Sequence, residues 1–221
     1  RAIAQGASER NISVAIAAAD QTRALRAAHA AFWLSPQTVA LAVIGPGKVG
    51  AALLDQLQAA LPRLRSEANI DLRLRALATS SKLWLSEHRD SKDWRTRMDE
   101  APIPADLSAI ATHLLDTHMP HAAIIDCSAS DAVAAHYPQW LAAGIHVITP
   151  NKHAGAGPLE RHHAIRAARE KSGARFRYEA TVGAGLPVIS TSTSPSDSGI
   201  PASRARICLL YTSPSPRDRT R

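Results

Sequence analysis

The sequence predicts an α/β chain built on a doubly wound parallel sheet with helices on both faces. Three observations predict it. Short apolar runs recur at Val39–Ile44, Ala122–Asp126 and Ile145–Ile148, as buried strands require, and Ile70–Ala78 contains a further strand. Helical patterns separate them, and strands alternating with helices argue for a parallel sheet. A glycine turn follows the first run and opens the first of these helices. Composition agrees. Hydrophobic residues make up 45% of the 221, normal for a packed domain and too high for a disordered chain.

Residues 1 to about 34 are Ala-rich. Within them Asn11–Ile16 alternates as a half-buried strand does, and Ala17–Ala31 reads as a helix with Asp20 or Thr22 as N-cap. Ser35-Pro36 marks a boundary. The strand Val39–Ile44 is followed by a helix from Val49 to about Leu61, and Ile70–Ala78 contains the next strand. His113–Met119 is mixed in character. Ala122–Asp126 is a buried strand and Ala132–Ala143 a helix, with Gly144 at its C-cap. Ile145–Ile148 is a strand, Leu159–Lys171 a charged helix and Phe176–Ala180 a further strand. Residues 190–221 hold 4 of the 14 prolines and many serines, with no period; by composition they are a disordered tail.

Several classes are excluded. No apolar run reaches the roughly 18 residues of a membrane span, and Arg1-Ala2-Ile3-Ala4 lacks the order of a secretory leader. Two cysteines, Cys127 and Cys208, make no disulfide scaffold and fit a reducing, cytoplasmic compartment. The net charge of +7 raises the question of nucleic acid. Residues 190–221 carry five arginines and two aspartates, or +3, which leaves a modest +4 on the first 189 residues.

Gly45-Pro46-Gly47-Lys48-Val49-Gly50 fits G-x-G-x-x-G in the strand-to-helix context that gives the pattern meaning. Gly45 allows the tight turn, Gly47 lets the backbone approach a pyrophosphate, and Gly50 lets helix and strand pack closely. The helix N-terminus adds free N–H groups and its dipole. This makes the fold Rossmann-type; a glycine turn without a ligand is the competing reading. After the second strand, Thr79-Ser80-Ser81-Lys82 has no acidic residue for a ribose 2′-hydroxyl. Its hydroxyls and Lys82 suit a 2′-phosphate, hence NADP or use of both NADP and NAD; Lys82 as a plain surface lysine is the alternative.

Asp126-Cys127-Ser128-Ala129-Ser130 lies at the carboxyl end of a strand, where open parallel sheets bind ligands. Ser128 either hydrogen-bonds the cofactor or caps the helix beginning near Ser130. Cys127 reads as buried and inert. Thr149-Pro150-Asn151-Lys152 follows the next strand at the same edge, and Lys152 is either a cofactor or carbonyl contact or a surface lysine. His113, His118, His121 and the His162-His163 pair lack metal-site spacing. Glu179-Ala180-Thr181-Val182-Gly183-Ala184-Gly185-Leu186-Pro187 suggests a sharp turn whose carbonyls and carboxylate suit a hard cation, or a plain turn between domains.

Together these motifs, in order over about residues 38–189, resemble homoserine dehydrogenase. The resemblance implies reversible reduction of L-aspartate 4-semialdehyde to L-homoserine by NAD(P)H. It implies cofactor contacts at Pro46 to Val49, Ser128 and Lys152, with Lys152 near the nicotinamide. It also implies a monovalent-cation site, for Na or K, at Glu179, Val182, Ala184 and Leu186. Position 48, often small or apolar in relatives, is Lys here. Residues 2–14 resemble the end of the ACT regulatory region of aspartokinases, which points to a bifunctional aspartokinase–homoserine dehydrogenase; there Gln5 would help sense threonine. The expected organisation is an ACT remnant over 1–36, an NAD(P)-binding domain over 37–189 and a tail over 190–221. The family's substrate-binding acidic residues and proton-donating lysine have no match in 190–221, so no catalytic residue beyond Lys152 is expected in the chain and no turnover. The parent is expected to be a homo-oligomer, with no nucleic-acid or membrane partner.

Residues 208–218 resemble the translation of a sequencing-library adapter. Codons able to encode Thr191–Ser203, read one base displaced, give Leu-Asp-Leu-Ala-Glu-Arg-Leu-Gly-Asp-Thr-Arg-Ile, an amphipathic helix that fits the family's continuation. The expectation is a frameshift near Ser190 followed by adapter sequence, excluded from fold reasoning. Two other functions compete: a non-catalytic NAD(P)-binding regulatory module, and a nucleic-acid-binding protein with salt-sensitive affinity.

Overall fold

A computed structural model of the chain describes residues 2–5, 12–18, 21, 24–25, 28, 37–86, 93–101, 103–116 and 119–181. Strand β1 (Ala2–Gln5) pairs antiparallel with β2 (Ile12–Ala15), Gln5 opposite Ile12. Residues 21, 24, 25 and 28 are helical, within the helix expected over 17–31; its two candidate N-caps, Asp20 and Thr22, lie outside the described residues.

Seven further strands form one sheet: β3 (Gln37–Ile44), β4 (Ile70–Ala78), β5 (Lys82–Leu85), β6 (Ile103–Pro104), β7 (His121–Asp126), β8 (His146–Ile148) and β9 (Phe176–Arg177). Their order is β6-β5-β4-β3-β7-β8-β9. The reversal of order at β3 is the doubly wound topology the alternating pattern predicts. The sheet is mixed rather than wholly parallel: β8 and β9 pair parallel, but β4–β5 and β5–β6 pair antiparallel. Residues 79–81 make a turn too short for a crossover, so β5 can only run back along β4.

The chain divides into two compact units, residues 1–43 with 51–123, and residues 44–50 with 124–221. In the first, β3 is buried almost throughout (Ala40 to Val43 at 4% exposure or less), as its continuous apolar run requires. Helix α1 (Lys48–Glu67) outlasts the expected end at Leu61. It runs through Pro62 and stops where Asn69 takes a left-handed φ of 53°. Asn tolerates that conformation and closes the helix much as glycine does. Asp71, buried at the start of β4, accepts from Arg65 Nε and Arg73 Nε, each at 2.8 Å. Helix α2 (Trp94–Asp99) is tied to α1 through Asp55, which accepts from both terminal nitrogens of Arg95 (2.8 and 2.9 Å) and from Trp94 Nε1 (2.8 Å). Helix α3 (Leu107–Asp116) takes up part of the segment that reads as mixed.

In the second unit the helix expected over 132–143 is two short ones, α4 (Asp131–Ala134) and α5 (Tyr137–Ala142). Pro138 sits in the first turn of α5. It has no N–H to continue the ladder from α4, and that position tolerates it. Gly144 takes a left-handed φ of 85° just past the C-cap of α5, as the pattern predicts. Helix α6 (His153–Ala156) precedes α7 (Leu159–Ser172), which Gly173 closes at φ 74°. Only Phe176–Arg177 of the expected final strand is paired, and Glu179–Thr181 turns into a 3₁₀ segment. Residues 190–221 lie outside the described residues.

The hydrogen bonds from Arg95, then Trp94, hold the Asp55 carboxyl down at about 2. An NMR pH titration should show Asp55 titrating near that value, and Arg95→Ala should return it toward the ordinary range of about 4. Since the folded value is depressed, whatever the pair contributes is present above pH 4 and is lost as pH falls toward 2. An Asp55 titration unmoved by Arg95→Ala contradicts the pairing.

Candidate functional site

The second unit contains both halves of the predicted phosphate loop. Ile44 ends β3, and Gly45 to Gly47 turn the chain into α1. Cys127 N–H donates to Ile44 O at 2.8 Å, stitching the turn to the end of β7. Gly45 has φ 79°, and a Cβ there would lie 2.8 Å from Ser128 N. A Cβ on Gly50 would lie 2.3 Å from Gly45 O and 3.3 Å from the Cys127 Cβ. Both glycines are therefore demanded by packing. Gly47 is different: nothing stands within 4 Å of a Cβ placed there. It is exposed, it directly precedes α1, and the first turn of α1 carries no acidic residue. An open backbone face at the start of a 20-residue helix, with no carboxylate competing for its N–H groups, fits the pyrophosphate of a dinucleotide. Pro46 is half-buried, while Lys48 and Val49 are exposed, Val49 at 61%.

At the end of β7, Asp126 is fully buried, and its carboxylate collects three donors. Ser128 N–H reaches Oδ1 at 2.7 Å; Tyr137 donates its hydroxyl hydrogen to Oδ2 in a short bond; Asn151 Nδ2 reaches Oδ2 at 3.1 Å. Tyr137, Thr149 and Asn151 are each at most 2% exposed. Thr149 Oγ1 donates to Asp126 O (2.8 Å) and accepts from Asn151 N–H (2.9 Å). Asn151 Nδ2 also donates to Ser130 O (2.9 Å), and its Oδ1 accepts from His153 N–H (3.1 Å). Burial, then the Asp126 charge, pushes the Tyr137 hydroxyl far above its ordinary range, so it remains a donor at any ordinary pH.

The residues singled out in the sequence are placed as follows. Ser128 is half-buried; its Oγ accepts from Ser130 N–H at 3.3 Å, while Ser130 itself caps α4 through Val133 N–H at 3.4 Å. Lys152 is exposed and stands immediately before α6. Thr79, described within the first unit, uses its Oγ1 to accept from Ser81 N–H (3.2 Å) and Lys82 N–H (2.9 Å), which shapes the turn into β5. Lys82 Nζ lies 3.5 Å from Asp99 O. Glu179 is half-buried in the 3₁₀ segment, whereas Val182, Ala184 and Leu186 lie outside the described residues. Gln5 is placed only by its strand register. His113 Nε2 lies 2.9 Å from Ser86 O, and among the described residues no three His, Cys, Asp or Glu side chains group as a metal site. Tyr137 carries no sequence signal of its own. The usable clue is Asp126, a carboxylate ending an apolar strand, since a buried charge has to find donors.

Residues 45–179 match the NAD-binding domain of homoserine dehydrogenase. The chain belongs to the homoserine dehydrogenase family. Residues 1–32 match an ACT domain. The chain is 47% identical over 193 residues to the chloroplastic bifunctional aspartokinase/homoserine dehydrogenase 2 of Zea mays, covering 86% of this chain and 21% of that protein. It is 33% identical over 189 residues to the bifunctional enzyme of Haemophilus influenzae, covering 85% and 23%. It thus spans about a fifth of the length of the curated relatives it matches. Among solved structures it resembles a Candida auris protein of unknown function (TM-score 0.57, 28% identity, 70% of this chain and 42% of that one). The fold also matches a hyperthermophilic archaeal homoserine dehydrogenase in complex with NADPH (TM-score 0.52, 19% identity, 70% and 48%). No helix among the described residues is long and apolar enough to cross a membrane.

Two outcomes follow from the loop and its neighbour. Gly50→Ala should lower stability by about 1–3 kcal/mol in denaturant melts, because the new methyl meets backbone, while Gly47→Ala should stay within about 0.5 kcal/mol. Equal losses from both would contradict the packing assignment. Burial, then the Asp126 charge, raises the Cys127 thiol to about 11. Alkylation at pH 8 followed by mass spectrometry should find Cys127 modified at least about tenfold more slowly than a free cysteine; an equal rate contradicts its placement.

Proposed function

We propose that this chain is the cofactor-binding segment of a bifunctional aspartokinase–homoserine dehydrogenase, and that NAD(P) lies along the 45–50 loop. The observation that carries this reading is the open face at Gly47, at the N-terminus of a long helix whose first turn has no acid. In the parent enzyme the reaction is reversible reduction of L-aspartate 4-semialdehyde to L-homoserine, and the bound nicotinamide supplies or accepts the hydride. The backbone from Pro46 to Val49 binds the pyrophosphate, with Gly45 and Gly50 fixing the turn and Lys48 adding a positive charge. Ser128 and Lys152 hold the cofactor from the ends of β7 and β8. Thr79 shapes the 79–82 turn, which presents Ser80, Ser81 and Lys82 to solvent as candidates for a 2′-phosphate, so NADP is favoured over NAD.

Glu179 with the carbonyls of Val182, Ala184 and Leu186 is the proposed monovalent-cation site, and Gln5 the proposed effector contact. The boundaries 1–36, 37–189 and 190–221 belong to the same reading, as do the frameshift before the tail and a homo-oligomeric parent. A cytoplasmic setting rests on the two cysteines, although the maize relative is named as chloroplastic. Residues 190–221 offer no match for the substrate carboxylates or the proton donor, so this chain binds cofactor without turnover. The +4 carried by residues 1–189 is small for a nucleic-acid binder, and NAD(P) is the expected anion.

Fluorescence titration with NADPH, NADH and duplex DNA separates the readings. NADPH should saturate the protein, NADH should bind more weakly, and DNA should not compete. Lys82→Ala should narrow the NADPH-to-NADH ratio by about three- to tenfold. Salt-sensitive DNA binding without nucleotide binding contradicts the proposal, and homoserine oxidation above background contradicts the absence of turnover.

A further inference from the structure

We infer that the buried network of Asp126, Tyr137, Thr149 and Asn151 is a positioning device that sets Ser128 and Lys152 against the cofactor; this rests on the reading that NAD(P) occupies the 45–50 loop. A carboxylate with no exposure is costly to keep, and a well-packed apolar replacement is often neutral or stabilising. What Asp126 does in return is local and specific. It binds Ser128 N–H from its own strand end and the Asn151 side chain from the end of the neighbouring strand. One carboxylate thereby fixes two loop ends that come from different parts of the chain.

The Asn151 amide has no rotational freedom left. Its nitrogen donates to Asp126 and Ser130, and its oxygen accepts from His153. Lys152 sits between these anchored neighbours. The Asn151 N–H is bound to Thr149, and Lys152 O accepts from Gly155 N–H (3.1 Å) and Ala156 N–H (3.0 Å). Its backbone is held on both sides, yet its ammonium is exposed and has no partner among the described residues. Ser128 repeats the arrangement: its N–H is bound and its Oγ accepts from Ser130, while its hydroxyl hydrogen has no acceptor among the described residues. Two rigid backbones therefore each present an uncommitted donor at the edge of the sheet that carries the glycine loop. Tyr137 completes the device by donating to Asp126 from α5, and its hydroxyl stays protonated.

The test is a double-mutant cycle in this chain. NADPH dissociation constants are measured for Tyr137→Phe and Asn151→Ala, each alone and combined with Lys152→Ala, with melting temperatures recorded in parallel. Each network substitution alone should weaken NADPH binding about five- to tenfold. In the Lys152→Ala background the same substitution should have less than about half that effect, because one of the two donors it positions is gone. Equal factors in both backgrounds would assign the network to general stability and overturn the inference, as would unchanged affinity in the single variants. If Asn151→Ala melts below the assay temperature, Tyr137→Phe, which removes one oxygen and leaves the ring packed, carries the cycle. An unaltered chain that binds neither NADPH nor NADH overturns the loop reading and this inference with it, and that result appears before any substitution is made.

Discussion

The constraint on which the site depends is the contact between the Gly45–Gly50 turn and the end of β7. The Cys127 N–H bond to Ile44 O, the Gly45 approach to Ser128 N and the Gly50 approach to Gly45 O all fall within one small volume. Backbone packed this closely leaves no room for side chains. The chain must turn sharply out of β3, and α1 must begin against Cys127. The exposed face at Gly47 follows from that arrangement: with its neighbours committed inward, the remaining glycine faces outward at the helix N-terminus, where backbone donors and dipole favour an anion.

A second layer of order lies beneath it. Asp126 converts a strand end into an anchor for two loops, and its donors come from α5 and from the chain after β8. Backbone packing shapes the phosphate side of the site, while buried polar pairing shapes the side where Ser128 and Lys152 stand. The two fail in different ways. A side chain at Gly50 meets backbone that must shift, whereas a lost hydrogen bond inside the network leaves a buried polar group unpaired at a cost of about 1–3 kcal/mol.

Much of this was legible in the residues. The apolar runs located β3, β7 and β8 because buried strands leave a continuous signal, whereas β4 interleaves Asp71, Arg73 and Arg75 with apolar residues before its apolar end. The glycine spacing located the loop: packing demands Gly45 and Gly50, and Gly47 leaves the face between them open. What the residues hid was set by tertiary context. The helix expected to end at about Leu61 runs on through Pro62 to Glu67, with the left-handed Asn69 just beyond it. Pro138 divided a helix whose apolar period ran unbroken. The short strands β5 and β6 carry no period of their own and exist through pairing with β4 and with each other. Asp126 stood in plain view, but its donors Tyr137 and Asn151 are assembled only by the fold.

The most direct test of the central claim is an amide NMR titration of the chain with NADPH. The largest shifts are expected at Gly47, Lys48, Val49 and Gly50, with a second group at Ser128 and Lys152. Saturable NADPH binding whose shifts cluster elsewhere, for example around the arginine-lined pocket of Arg166, Arg169 and Arg175, and that leaves residues 46–50 unmoved would contradict it.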